Sequence, residues 1–181
     1  MEFFLKVRII FVKFVKSCEK NLSMEEPVIN AHNKEEYPPM HTCEHILNAT
    51  MVRMFGCPRS RNAHIERKKS KCDYLLEAAP TQEQVDAIVR TVNEVIGQDL
   101  DVTIAYLTHA EAAQLVDLSK LPENASEMLR IVRVGDYDAC ACAGAHVRNT
   151  AEIGRFEILS HDFDGIRWRV RWRVTDSPYV A

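Results

Sequence analysis

Met40-His41-Thr42-Cys43-Glu44-His45-Ile46-Leu47 decides how this chain is read. His41 and His45 stand four apart in an apolar-periodic run that includes Ile46, Leu47, Ala49, Val52, Met54 and Phe55. On an α-helix, positions four apart lie on one face, so both imidazoles can address one metal ion. About a hundred residues later, Cys140-Ala141-Cys142-Ala143-Gly144-Ala145-His146-Val147 repeats the spacing with Cys142 and His146. Gly144 between them argues for a tight turn rather than a helix. Three nitrogens and one thiolate suit Zn²⁺ in tetrahedral geometry. Zinc is therefore the expected cofactor, with His41, His45, Cys142 and His146 as its ligands.

Cys140 competes with Cys142 for that role. An extended segment is expected to send the two thiols to opposite sides, and the four-residue spacing to His146 favours Cys142. Glu44 makes the helix motif His-x-x-Glu-His, the inverted zinc-protease pattern in which a glutamate acts as base. That leaves open a different zinc hydrolase, as well as an inert zinc-stabilised module that binds RNA or protein.

Taken together, His41-Thr42-x-x-His45 and Cys142-x-x-x-His146-Val147-x-Asn149-Thr150-x-Glu152-Ile153-Gly154 resemble the editing domain of alanyl-tRNA synthetase. They are most similar to the free-standing AlaX-type trans-editing proteins, and the likeness runs from about Pro39 to Val174. The resemblance implies a sheet wrapped around the metal-bearing helix. It also implies hydrolysis of mischarged aminoacyl-tRNA, with seryl-tRNA(Ala) the first expected substrate and glycyl-tRNA(Ala) the second. It associates Thr42 with recognition of the wrong amino acid's hydroxyl and places His64 on a strand lining the editing cleft. Where the family carries Gly-Gly-Thr, this chain has Ala143-Gly144-Ala145, a departure that bears on the turn.

The chain has 181 residues, 46% of them hydrophobic and 27% charged, enough for one domain with a substantial core. Its net charge of −3 excludes a generic polyanion binder. Six cysteines without a secretory signal point to a reducing, cytoplasmic setting, with Cys18, Cys43, Cys57 and Cys72 as free thiols. Residues 1–23 form a basic apolar extension whose longest uncharged run, Ile9 to Val12, is too short for a membrane span. Composition changes at Met24, which is expected to be the start of translation, leaving 24–181 as a single editing-type domain.

Pro27 to Pro39 reads as a loop, and the metal helix as Met40 to Phe55, stopped by Gly56-Cys57-Pro58. Ala63 to Glu66 and Cys72 to Glu77 read as a strand pair around the basic Arg67-Lys68-Lys69-Ser70-Lys71. A helix capped by Thr81 follows, then a strand over 99–107, a short helix over 109–116 and a strand over 129–134. Two last strands, 156–160 and 166–174, flank an Asp164-Gly165 turn. The second of these alternates Arg167, Arg169, Arg171 and Arg173 with Trp168, Val170 and Trp172. This order specifies an α+β fold with an antiparallel or mixed sheet. In an acidic body, tRNA binding needs locally focused positive charge. Arg67, Lys68, Lys69 and Lys71 are the candidates, together with the arginine face, whose other reading is protection of a sheet edge.

Overall fold

A computed structural model describes residues 37–118, 121 and 125–180. The segment 1–23 and the start at Met24 lie outside them. The elements in order are α1 (Pro38–Phe55), β1 (Ser70–Leu75), α2 (Gln82–Ile96), β2 (Val102–Thr108), α3 (His109–Ala112), β3 (Met128–Val134) and β4 (Asp138–Ala141). A 3₁₀ turn (Thr150–Glu152), β5 (Arg155–Phe163) and β6 (Arg167–Thr175) complete them. The fold is α+β, with two three-stranded antiparallel sheets, ordered β1-β6-β5 and β2-β3-β4. No helix among the described residues is long and apolar enough to cross a membrane.

Helix α1 is the axis. It packs against β6 of one sheet, against β3 and β4 of the other, and against α2. Every residue from Pro39 to Met51 is buried, so this part of the helix has no solvated face. It starts two residues earlier than expected, because Pro38 and Pro39 belong to its first turn rather than to a loop. A helix leaves its first N–H groups unpaired, and proline, which has none, fits there with φ already set. Gly56 ends the helix in the left-handed region (φ 63°), its N–H bonding Val52 O.

Helix α2 carries the expected capping box between Thr81 and Gln84 and buries Val85, Ile88, Val92, Val95 and Ile96. The anticipated strand over 63–66 shrinks to one bridge, His64 to Lys71. The short helix after Thr108 stops at Ala112. Strand β4, which no periodicity in Asp138-Ala139-Cys140-Ala141 announces, completes the second sheet.

β6 is central in its sheet and carries the aromatic core: Trp168, Val170 and Trp172 are fully buried beside Tyr74 and Phe156. The hairpin into it turns at Asp164, whose carboxylate accepts the N–H groups of Ile166 and Arg167.

The Asn149 to Gly154 part of the second motif is structural. Asn149 and Glu152 form a capping box around the 3₁₀ turn, and Thr150 Oγ1 bonds Leu100 N and Ile96 O. This ties the motif to the end of α2 and the start of β2. Gly154 has φ 92°, and a Cβ there would sit 2.3 Å from Thr175 O. A side chain at this point is excluded both by the dihedral and by a backbone wall. Gly154→Ala should therefore lower unfolding free energy by about 2 kcal/mol or more, measured by the shift of the denaturant midpoint at unchanged m-value.

Candidate metal centre

The helical i,i+4 spacing places His41 and His45 on one side of α1, facing the segment that follows β4. Cys142 and His146 come to meet them, and the four potential ligand atoms lie within 4.8 Å of one another. Cys142 Sγ is 3.4 Å from His41 Nε2 and 3.5 Å from His146 Nε2. A tetrahedral Zn²⁺ with ordinary Zn–S and Zn–N bonds sets such edges at about 3.6 Å. The rings of His41 and His146 stack with centroids 4.2 Å apart, and His45 stands edge-on to both. These four residues could hold a metal ion.

The nitrogens turned away from the cluster are engaged. His41 Nδ1 bonds Ala145 O at 3.1 Å, and His146 Nδ1 meets Thr42 Oγ1 at 3.1 Å. His45 Nδ1 lies 3.3 Å from Asp138 Oδ2, an ionic contact poorly angled for a hydrogen bond. Such outer partners fix the tautomer and aim of metal-binding imidazoles. Asp138 is itself gripped through both oxygens by Arg59, at 2.6 and 3.1 Å.

Burial works against a charged Cys142, but hydrogen bonds from His146, His41 and His45 hold its pKa at about 2. Burial would lower His45, yet Asp138 and the Cys142 thiolate carry it up to about 9. His146 is brought down to about 4, first by burial and then by the charges of its histidine neighbours. Cys140 behaves oppositely, its thiol pushed up to about 11 by burial. The expectation that an extended segment separates the two cysteines is corrected. Residues two apart share one face of a strand, and Cys140 and Cys142 follow Asp138 along the same side of β4. What separates them is position: the strand ends at Ala141, and only Cys142 reaches the imidazoles.

Thr42 is fully buried. Its hydroxyl donates to Pro38 O at 3.0 Å, accepts Val147 N–H at 3.2 Å and meets His146 Nδ1. One donor and two acceptor sites are thereby used, which leaves no hydrogen-bonding capacity for a ligand's hydroxyl. Glu44 is buried outside the cluster, accepting from Asn48, whose Oδ1 in turn takes Ser60 N–H. His64 is exposed, bonded to Glu66 at 2.7 Å, and is not brought to the cluster. Cys43, Cys57 and Cys72 are free and buried; Cys18 lies outside the described residues.

The arginine face is compensated residue by residue. Arg169 grips Asp73 through two bonds of 2.7 Å, and Arg171 meets Asp162 at 2.6 Å. Arg173 bonds Glu157, and Arg167 pairs with Asp164. The neighbouring strands supply these acids in register, for Asp73 on β1 and Asp162 on β5 both stand opposite Arg169. Arg67, Lys68 and Lys69 are exposed, and none forms an ion pair with a described carboxylate; Arg67 instead lies 4.9 Å over the Tyr37 ring. Lys71 sits at half exposure within β1.

The molecule is thus an α+β domain with donors for one metal ion gathered between its central helix and the segment after β4. Residues 129–168, which include the Cys142 block, match the family described as the threonyl and alanyl tRNA synthetase second additional domain. Over 150 residues the chain is 30% identical to an alanine–tRNA ligase of Staphylococcus saprophyticus, covering 82% of this chain and 17% of the ligase. With a Bacillus subtilis alanine–tRNA ligase the identity is 33% over 121 residues, or 66% of this chain and 14% of the ligase. A Staphylococcus aureus alanine–tRNA ligase is 27% identical over 138 residues. The chain spans roughly a sixth of the length of these relatives. The resemblance to the alanyl-tRNA synthetase editing-domain family is thereby shown, and the chain fits an AlaX-like editing domain.

Two measurements check the geometry. Cys142→Ala should abolish binding of about one equivalent of Zn²⁺ per chain, whereas Cys140→Ala should retain it, read by metal analysis after gel filtration. Thr42→Val, which keeps volume but frees His146 Nδ1, should weaken Zn²⁺ affinity about ten- to a hundredfold in a chelator competition.

Proposed function

We propose that this chain is a zinc-dependent trans-editing deacylase that hydrolyses the ester of mischarged aminoacyl-tRNA, with seryl-tRNA(Ala) as its principal substrate and glycyl-tRNA(Ala) as the secondary one. The observation that carries the reading is the preformed donor set of His41, His45, Cys142 and His146 in a chain similar to alanine–tRNA ligases over most of its length. The chemical need is plain. A pocket built for alanine pays only a small penalty for an added hydroxyl and cannot exclude the smaller glycine, so a second site must remove the errors.

In this reading residues 24–181 act as one editing-type domain in the cytoplasm. Bound Zn²⁺ would supply Lewis acidity toward the substrate carbonyl or orientation of the α-amino group. The residues of the chain hold and aim the donors: Asp138 and Arg59 behind His45, Ala145 O behind His41, and Thr42 behind His146. Thr42 is accordingly a positioning residue, and selection of the hydroxyl falls to groups that touch the substrate. Glu44 is tied into the Asn48–Ser60 network, which counts against its use as a general base.

One observation favours a second reading. Four protein donors make a closed set of the kind found in structural zinc sites, as expected of a metal-stabilised RNA-binding module without activity. The decisive assay is release of serine from seryl-tRNA(Ala). The folded, zinc-loaded protein should release serine, leave alanyl-tRNA(Ala) largely intact and slow when zinc is stripped. A zinc-loaded protein that leaves every mischarged tRNA(Ala) untouched establishes the inert module instead.

We assign the tRNA contact to Arg67, Lys68 and Lys69 with Lys71 beside them, and give Arg167, Arg169, Arg171 and Arg173 a minor share, because their charges are met within the sheet. Replacing Arg67, Lys68 and Lys69 together by Ala should reduce the slope of log affinity against log salt by about 2–3. Replacing Arg171 and Arg173 should change that slope by less than about 1.

A further inference from the structure

The segment from Cys142 to His146 delivers two of the four donors, yet it has little backbone structure of its own. Strand β4 ends at Ala141. The bond from Cys142 N to Arg130 O, at 3.0 Å, extends the β3–β4 ladder by one step. Among the described residues no backbone–backbone hydrogen bond involves residues 143–146. Positive φ occurs at Gly56, Asp99, Gly135, Gly154, Gly165 and Asp176, none of them between Cys142 and His146. A turn that uses neither left-handed glycine nor a closing backbone bond has to be held from outside.

Two side chains hold it. Arg130 on β3 donates from one guanidinium nitrogen, Nη1, to Cys142 O at 2.7 Å and to Gly144 O at 2.9 Å. His41 takes the next carbonyl, Ala145 O, through Nδ1. Carbonyls 142 and 144 are thus drawn to the sheet and carbonyl 145 to the helix, with Cys142 Sγ and His146 Nε2 left facing the cluster. Arg130 also holds Cys142 by both backbone groups, since its own carbonyl accepts Cys142 N–H. Its charge is committed to this task. Arg59, Arg133, Arg167, Arg169, Arg171 and Arg173 each pair with a carboxylate, whereas no described carboxylate forms an ion pair with Arg130.

We propose that Arg130 is the positioning residue that gives the metal-binding turn its shape, in the absence of any positive-φ residue within it. Charge-assisted bonds to two carbonyls are strong and geometrically demanding, so Ala143 and Ala145 fit the turn without strain. The inference goes beyond the deacylase reading and rests only on the part of it that makes the four residues a metal site.

The test is Zn²⁺ affinity by chelator competition, with thermal unfolding of the metal-free and metal-loaded protein. Wild type is expected to bind one Zn²⁺ and to melt higher when loaded. Arg130→Met, which keeps the stem and loses both donors, should bind Zn²⁺ about ten- to a hundredfold more weakly. Its metal-free melting temperature should stay near the wild-type value. Arg130→Lys, which keeps a cationic donor but on a shorter side chain that does not reach both carbonyls equally, should fall between the two.

A folded Arg130→Met that binds Zn²⁺ as tightly as wild type overturns the assignment while leaving the metal centre standing. So does a variant whose metal-free form melts much lower with affinity unchanged, since that is the mark of a merely structural residue. Failure of wild type to bind Zn²⁺ overturns the metal centre itself, and the assignment with it. Should Arg130→Met not fold, Arg130→Lys decides: affinity equal to wild type rejects the inference, and an intermediate loss supports it.

Discussion

A half-exposed thiolate held by three imidazoles is the constraint to which the rest of the molecule answers. The surrounding histidines pull the Cys142 thiol toward its charged form, and Asp138 and Cys142 raise the proton affinity of His45. Uncompensated charges in such a place are costly. The fold meets the demand in layers: donors at the centre, then Asp138, Ala145 O and Thr42, then Arg59 and Arg130 behind them. The layers draw on α1, β3, β4 and the segment after β4, so these are fixed relative to one another by polar bonds as well as by apolar packing.

What could be read from the sequence follows from the range of the interaction that determines it. His41 with His45, Thr81 with Gln84, and the alternation from Arg167 to Val174 are set within a few residues, where helix and strand periods act. Register is not local. That Asp73 and Asp162 would stand beside Arg169 depends on how three strands align, so the arginine row reads as a free basic face until its neighbours are known. Arg130 and Asp138 were missed for the same reason. For Asp138 a weak signal existed, an acid four residues before Cys142 and therefore on its side of an extended segment. Pro38 and Pro39 misled because a proline pair suggests a loop, although the first turn of a helix suits it equally well.

The site also shows how a side chain can be placed at a functional centre without being free to act on a ligand. Thr42 adjoins His41 in sequence and His146 in space, yet its hydroxyl is spent on Pro38 O, Val147 N–H and His146 Nδ1. Glu44, one residue from His45, lies outside the cluster and accepts from Asn48. Sequence adjacency to a ligand therefore says little about chemical availability. Counting donors and acceptors does, and it moves Thr42 from the reacting surface to the support behind it.

Helix α1 has a consequence for how the chain is made. Its cover comes from β3, β4 and β6, all of which follow it in the sequence, β6 by more than a hundred residues. A ribosome adding 5–20 residues per second releases the helix on the order of ten seconds before β6 can close over it. During that interval Met40, Ile46, Leu47 and Met51 have no partner, and His41 and His45 face water without Cys142. The nascent chain thus offers an apolar helix with two bare imidazoles to whatever surrounds it. An exposed apolar surface of this kind is what chaperones shield, so the yield of native protein depends on that window as well as on the finished domain.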